Sequence, residues 1–416
     1  MDEDTLKKLY REIRQPQLNP AVVGFNVNLD RIIPVTPAFL HSSLLNQPAL
    51  SELRSRLLHS MQTCTAEEWF VTDRVRYRQF TRIFAGCGTL AIGGQAGIAA
   101  VHLASVGVPD LLCIAHAVGP DTVKILGKAG VRLLDTGSGR GNHADTTHLV
   151  FEYPPGLVPV ARGVVPRNNR FIVSPVHGPD SVLVPDEAMD AFITVISRYN
   201  RAFLSGYQYL KADEEFARAA DQIRSMKRNN NRMRIHVECV SVTDDTVIRG
   251  FVRHILPAAD STGLNEHELV LLLHTLEPGN PEYGISEILP PEKLVKGALL
   301  ACRICGLKRL HLHTYGYYVL VLRKDCADPA VSLNALLFAS RATAQSAQGS
   351  STGISLPGTR AFFQVDEAFG PQESYGIFQA EGYTIIMVPT LIAQNISKSS
   401  GLGDILSSTA FVSDQF

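Results

Sequence analysis

Asp404 follows Gly401, Leu402 and Gly403 in the tail SSGLGDILSSTAF, which comes after the β-forming run YTIIMVPT. Helix-forming residues continue beyond the aspartate. The glycines therefore stand at a helix N-terminus, where backbone N–H groups lack intrahelical partners and the dipole favours an anion. Such a turn can cradle a phosphate, and a carboxylate beside it can take a proton from an incoming hydroxyl during phosphoryl transfer. The same letters also describe a glycine turn with a helix-capping aspartate.

Asn265 and Glu268 open the run NEHELVLLLHTL, just past an expected turn at Gly263, and at i, i+3 they share a helical face. That pair suits a hydrated magnesium ion, which takes one or two carboxylates plus phosphate oxygens, and it equally suits a capping box. His236 and Glu238 alternate along the strand-like run RIHVECV, so both point to one side, where burial is costly unless they are paired. They mark either a site at the strand end or a satisfied core pair. Asn26, Asn28 and Asp30 alternate after AVVGF, which suits a polyhydroxy ligand or an Asx-rich turn. Gly93 and Gly94, in GGQAG, permit close backbone approach to a ligand or to a neighbouring strand. In PRNNRF, Arg167 and Arg170 flank Asn168 and Asn169; the guanidinium groups could clamp phosphoryl oxygens or simply lie in solvent.

The cysteines are seven, an odd number scattered along the chain, which fits a reducing compartment better than a disulfide framework. Cys302 and Cys305 form a C-x-x-C without a second pair. A zinc site there would have to borrow His311 and His313, and a helix face carrying two small thiols explains the spacing as well.

These groups need a scaffold, and the chain is long enough to build one. Its 416 residues exceed one ordinary domain, with 45% hydrophobic and 19% charged residues. Lysine plus arginine number 39 against 40 aspartate plus glutamate, a net charge of -1, which leaves no basic surplus for a nucleic-acid backbone. No run of apolar residues is long enough to span a membrane, and the charged start lacks a signal-peptide pattern. A soluble, cytoplasmic protein without nucleic-acid or membrane partners is expected.

Strand and helix signals alternate from Pro185 onward: helices from Pro185, Ala212, Asp244, Asn265 and Pro291, strands from Ala202, Arg234, Lys308 and Tyr317, and a long helix through SLNALLFASRATAQSAQ. This rhythm predicts an α/β fold whose mainly parallel sheet is flanked by helices on both faces. Two stretches break it. Residues 31–82 read as helical segments with polar faces, and residues 146–184 as strands punctuated by proline and glycine. The economical division makes 1–30, 83–145 and 185–416 a large domain, with 31–82 and 146–184 a smaller inserted α/β domain and a ligand cleft between them.

In order, GFNVNLD, GGQAG, PRNNRF, HVE, GLNEHEL, HLHTYGYY and GLGD resemble the archaeal ADP-dependent phosphofructokinases and glucokinases of the ribokinase-like superfamily, over nearly the whole chain from Gly24. HLHTYGYY and GLGDILSSTAFVS look most like the phosphofructokinase branch. The resemblance implies a ribokinase-like sandwich with a lid, magnesium as cofactor and ADP as phosphoryl donor. Fructose-6-phosphate would give fructose-1,6-bisphosphate and AMP in glycolysis, with glucose as the alternative acceptor. It also implies roles: Asp404 as general base, Gly401, Leu402 and Gly403 as anion hole, and Arg170 as a lid arginine reaching the phosphates. Glu268 would order magnesium through its waters with Asn265 beside it, supported by Glu238 and His236. Asn28 and Asp30 would hold sugar hydroxyls, with the Gly93 and Gly94 backbone, and Arg167, Asn168 and Asn169 are candidates for the sugar's 6-phosphate.

Ile405 stands where the family often has threonine, outside the base itself. Glucose-using members carry an acidic residue in the lid helix where fructose-6-phosphate users have alanine. Aligned on SMQTCTAEEWFV, Ala66 takes that position and favours fructose-6-phosphate; a shift of one residue brings in Glu67, with Glu68 next. A non-catalytic sensor on the same fold could dispense with Asp404 or Glu268, and both are present.

Overall fold

Short apolar runs bounded by turn residues form strands buried from end to end, among them Ala21–Gly24, Leu111–Ala115 and Arg201–Leu204. Burial along a whole strand requires cover on both faces. The structure, a computed structural model, describes residues 3–42, 45–116, 118–136, 145–157, 164–240, 244–283, 289–347, 351–370, 375–393 and 401–416. Ten strands make the large sheet, in the order Ile377–Ala380, Tyr383–Pro389, Tyr317–Arg323, Arg309–His313, Ser261–Leu264, Arg234–Glu238, Arg201–Leu204, Ala21–Gly24, Leu111–Ala115, Arg132–Asp135. From Arg309–His313 onward the strands run parallel; the others pair antiparallel.

Alternate residues of these strands enter different cores. Val22, Leu112, Ile114 and Leu204 pack with the helices Asp213–Asn229, Glu266–Leu276 and Pro291–Cys305. Val23, Cys113 and Phe203 pack with Gln95–Ser105 and the tail helix Leu402–Ser413. The expected sandwich, a mainly parallel sheet flanked by helices, is what forms. Cys302 and Cys305 are free thiols buried along helix Pro291–Cys305.

The tail helix is buried from Ile405 to Ser413 and packs against helices Gln95–Ser105 and Pro329–Ser346. Its small residues Ser407, Ser408, Thr409 and Ala410 allow close approach on several sides. Just past its end, the fully buried Arg309 donates through Nε to Asp414 Oδ2 at 3.2 Å. Ser332 donates to the other carboxylate oxygen at 2.7 Å, and Arg201 donates to the Asp414 carbonyl at 2.9 Å.

A second sheet of five strands has the order Glu67–Val71, Asn169–Pro175, Thr147–Tyr153, Asn28–Pro34, Thr89–Gly93. One face packs with helices Ser51–Thr63 and Arg74–Ile83 around Leu53, Leu57, Phe80, Phe84, Phe151 and Phe171. It recruits residues 28–30 and 89–93, which the sequence reading placed in the large domain. The chain passes between the sheets at residues 25–27 and again at Gly93–Gly94, so the polar letters there sit where the two sheets meet.

Three local expectations are corrected. Gly263 lies within the central strand Ser261–Leu264, not in a turn, because the neighbouring strand brings a side chain where a Cβ would stand. The stretch 31–82 contains strand Glu67–Val71 as well as helices; the strand opens with two glutamates and leaves Phe70 exposed, which masks the β pattern. The run DSVLVP forms a short 3₁₀ turn, Pro179–Ser181, in place of a strand.

Removing one partner of a buried ion pair strands the other charge, at a cost of about 3–5 kcal/mol. Arg309→Ala is therefore expected to lower unfolding stability by about that amount, read from denaturant midpoints. A loss under about 1 kcal/mol, the size seen for exposed pairs, would show that the tail is not anchored by this contact.

Candidate active site

The chemistry-bearing residues collect at the carboxyl ends of the parallel strands, where open α/β sheets bind ligands. Glu238 ends strand Arg234–Glu238 and is almost fully buried. Its Oε2 accepts from Ser407 Oγ at 2.7 Å and pairs with His236 Nε2 at 2.9 Å; Oε1 pairs with His313 Nε2 at 3.0 Å. His236 in turn contacts Ser261 Oγ through Nδ1 at 2.7 Å, and Arg309 Nη1 donates to that hydroxyl at 3.2 Å.

Burial alone would raise the Glu238 pKa, yet the bonds from His236 and His313 outweigh it and hold the carboxyl at about 2. Burial would likewise discharge His313, but Glu238 pushes it up to about 9. His236 goes the other way, lowered by burial in spite of Glu238. With both ring nitrogens engaged inside the protein, His236 acts by orienting Glu238.

Asn265 is the N-cap of helix Glu266–Leu276, and the capping box is fully formed. Asn265 Oδ1 accepts from the Glu268 amide at 2.9 Å, and Glu268 Oε2 accepts from the Asn265 amide at 2.9 Å. The cap fixes the Glu268 side chain near the Asp404 and His313 groups, whose ionisation it influences. Among the described residues no three His, Cys, Asp or Glu side chains form a metal cage. The fit for a cation is one or two carboxylates, Glu268 and Glu238, with ligand oxygens and water completing the shell, which is how magnesium is commonly held.

Gly401 is the N-cap of the tail helix, in the left-handed region at φ 73°, so that Leu402, Gly403 and Asp404 occupy the first turn with their amides at the dipole's positive end. A Cβ on Gly403 would come 2.9 Å from His313 Cε1, which places the imidazole directly against the glycine turn. Asp404 is the third helical residue, not the cap. Desolvation first, then the negative charge of Glu238, pushes its carboxyl up to about 7, against the opposing effects of His313 and a hydrogen bond with Gln95. Gln95 also donates to the Cys239 carbonyl at 3.0 Å, tying the head of helix Gln95–Ser105 to the end of the Glu238 strand.

Across from this group, Asn28 donates to Asp30 Oδ1 at 2.8 Å, while its own buried Oδ1 has no hydrogen-bond partner. A Cβ on Gly93 would lie 2.2 Å from Asp30 Oδ1, and one on Gly94 would lie 2.4 Å from the Asn26 carbonyl and 2.7 Å from Asn28 Oδ1. Both glycines are needed for that packing, whatever ligand they also meet. Tyr209 donates to Asn26 Oδ1 at 3.1 Å and stacks on His177, whose Nε2 is 3.2 Å from that of His148. Burial keeps both histidines neutral, at about 3 for His148 and about 4 for His177.

Strand register decides what else faces this cluster. Asp30 pairs with His148, and Glu68, on strand Glu67–Val71, points to the same side. Glu68 accepts from Ser174 Oγ at 2.5 Å and lies 3.9 Å from His148 Nδ1; burial raises its pKa. Ala66 falls in the exposed connection after helix Ser51–Thr63, so the helical register expected around it does not apply; alternation along a strand does. Glu67 is turned away and paired with Arg56 at 3.2 Å. Arg170 sits on the second sheet near Glu68. Asn169 donates to the Cys64 carbonyl at 2.7 Å, holding the turn before Ala66, and Arg167 and Asn168 are exposed. Sequence reading missed Gln95, Tyr209, His148, His177 and Ser407; only His313 carried a signal, as the second polar residue of the alternating run HLH.

The conserved region of ADP-specific phosphofructokinases and glucokinases matches residues 20–413. The chain belongs to that family. It is 28% identical to the ADP-dependent glucose/glucosamine kinase of Pyrococcus furiosus, over 96% of this chain and 95% of that one. It is 24% identical to the ADP-specific phosphofructokinase of Pyrococcus abyssi, over 99% and 93%. Among solved structures, an ADP-dependent kinase in complex with fructose-6-phosphate and ADPβS has the same fold, with a TM-score of 0.81 at 22% identity, covering 99% of this chain and 98% of that one. Among the described residues no helix is long and apolar enough to cross a membrane.

A carboxyl raised from its ordinary 3.8 to about 7 binds its proton more tightly in the folded state. Its contribution to stability is whole below pH ~4 and is lost as pH rises from there to about 7. Asp404→Asn is therefore expected to gain stability over the wild type by more at pH 8 than at pH 5, measured by thermal unfolding. If Asp404 must be ionised to work, kcat/KM also climbs through about pH 7. A gain that does not change with pH would refute the buried-carboxyl reading.

Proposed function

We propose that this chain is an ADP-dependent hexose kinase, with glucose as the acceptor that the geometry supports best. One observation carries the choice of sugar: Glu68, rather than Ala66, faces the cluster of Asp30, His148 and Tyr209, where a carboxylate can accept a hydrogen bond from a sugar hydroxyl. The somewhat higher identity to a glucose/glucosamine kinase supports the same reading.

In this reading the sugar lies between Asn28 and Asp30 on one side and Glu68 on the other, and the residues of 31–82 and 146–184 serve as the lid. Asp404 takes the proton from the attacking hydroxyl, which adds to the β-phosphoryl group of ADP and releases AMP. The Gly401–Gly403 amides hold the phosphoryl oxygens, and closure of the lid brings Arg170 to them. Glu268 and Glu238 would hold magnesium through its waters; the ion would supply charge neutralisation at the phosphates. The chain's own share is positioning and a preformed field. Asp404 is poised near neutrality, so it can accept a proton at physiological pH.

Fructose-6-phosphate is the second reading. The phosphofructokinase-like runs HLHTYGYY and GLGDILSSTAFVS favour it. So does a cavity of about 660 Å³ beside His177, lined in part by Arg74 and Arg78, which could receive a sugar phosphate.

The test is AMP release with magnesium, crossing ADP and ATP with glucose and fructose-6-phosphate. AMP is expected with ADP and glucose, and Glu68→Ala is expected to reduce kcat/KM for glucose at least about tenfold, the scale of one hydrogen bond to a charged group. AMP formed only with fructose-6-phosphate would put the second reading first. Turnover with ATP alone would overturn both.

A further inference from the structure

Ser407 stands one turn beyond Asp404 on the tail helix and is fully buried. Its hydroxyl bridges the tail helix and strand Arg234–Glu238. It donates to Glu238 Oε2 at 2.7 Å and lies 3.1 Å from His236 Nε2, and Gly263 of the neighbouring strand pairs with Glu238. A Cβ on Gly263 would lie 2.4 Å from Ser407 Oγ and 2.2 Å from Glu238 Oε2, so any larger residue would wedge the helix away from the carboxylate.

The donors can be ordered along the network. The Arg309 guanidinium donates to Ser261, whose hydroxyl can then donate to His236 Nδ1, leaving Nε2–H to face Glu238 Oε2 beside the Ser407 hydroxyl. The Arg309 end sets the direction of the chain; Ser407 donates to the carboxylate, and its oxygen, 3.1 Å from His236 Nε2, can share that N–H with Glu238 Oε2. Elsewhere the tail helix is held by apolar and small-residue packing, by the Asp404–Gln95 hydrogen bond at its head and by the Asp414 contacts past its end. Ser407 ties its middle directly to the Glu238 carboxylate through a short hydrogen bond to a charged group.

We infer that Ser407 is a positioning residue that fixes the helix bearing Asp404 and the anion-hole glycines in register with Glu238. This rests on the kinase reading above, and it assigns the alignment of the two carboxylate-bearing elements to one side chain outside the G-x-G-D, H-x-E and N-x-x-E motifs. It touches no reacting atom; it acts through Glu238.

The test pairs kinetics with a crystallographic comparison. Ser407→Ala is expected to lower kcat about tenfold, the value of one buried hydrogen bond, with the sugar KM nearly unchanged. In the Glu238→Gln background, where the charged acceptor is gone, the same change is expected to cost less than about twofold, because residues acting as a unit are not additive. Gly263→Ala, which separates the two groups while keeping the hydroxyl, is expected to reproduce the kcat loss. A full tenfold loss in both backgrounds, or an unchanged kcat in Ser407→Ala, would overturn the proposal.

Crystal structures of the wild type and Ser407→Ala give a readout independent of turnover. The Glu238 carboxylate is expected to rotate, and the Asp404 turn to shift relative to it; superimposable sites would also overturn the proposal. If the wild type releases no AMP from ADP with either sugar, the kinase reading fails, and this comparison still decides whether Ser407 sets the register.

Discussion

One buried carboxylate governs how the rest of this site is assembled. An ionised Glu238 inside the sandwich would be prohibitively costly without donors, and three side chains supply them: His236 from its own strand, His313 from a strand beyond the next, and Ser407 from the tail helix. Each donor constrains an element. The strand between Glu238 and His313 must carry glycine where it passes them. His313 must remain protonated to balance the charge, and the tail helix must pack closely enough to present a hydroxyl. Small residues along that helix, and the Arg309–Asp414 pair at its far end, make that approach possible. The Gly401–Gly403 turn thus inherits its position from an interaction in the layer below it.

Several strands of the large sheet were legible because they are short, rich in apolar residues and bounded by helix starts that follow simple capping rules. His236 and Glu238 were legible because a polar residue in an otherwise buried strand needs a purpose, and Asp404 because it follows a Gly-x-Gly at a helix start. The Asn265–Glu268 pair shows how two readings of the same letters can both hold. The capping box forms, and in forming it fixes Glu268 beside the other acidic groups.

What stayed hidden depends on contacts between residues far apart in sequence. Strand Glu67–Val71 alternates in facing, but both of its first two residues are glutamates, so only the partner strands reveal that Glu68 faces the cluster and Glu67 pairs with Arg56. Gly263 looked like a turn because nothing nearby in sequence explains a glycine inside a strand; the reason is a side chain 25 residues earlier. His148 and His177 lie in unremarkable runs, and Tyr209 in a 3₁₀ turn, and only folding stacks them beside Asn26 and Asp30. Where a resemblance depended on helical register at Ala66, the chain had already left the helix.

The electrostatics follow from the same arrangement. Two nearby carboxyls in one site are driven apart in ionisation: Glu238, with three donors, stays charged at about 2, while Asp404, desolvated and with a like charge nearby, is pushed up to about 7. Such a split is the usual way a site keeps one acid permanently ionised and another able to exchange a proton near neutrality. The order cannot be swapped, because the donors that lower Glu238 are also what place its charge against Asp404. A change that removed a donor from Glu238 would let burial raise its pKa and leave the tail helix less firmly placed. The buried network therefore sets where the Asp404 carboxyl stands and contributes to how tightly it holds its proton.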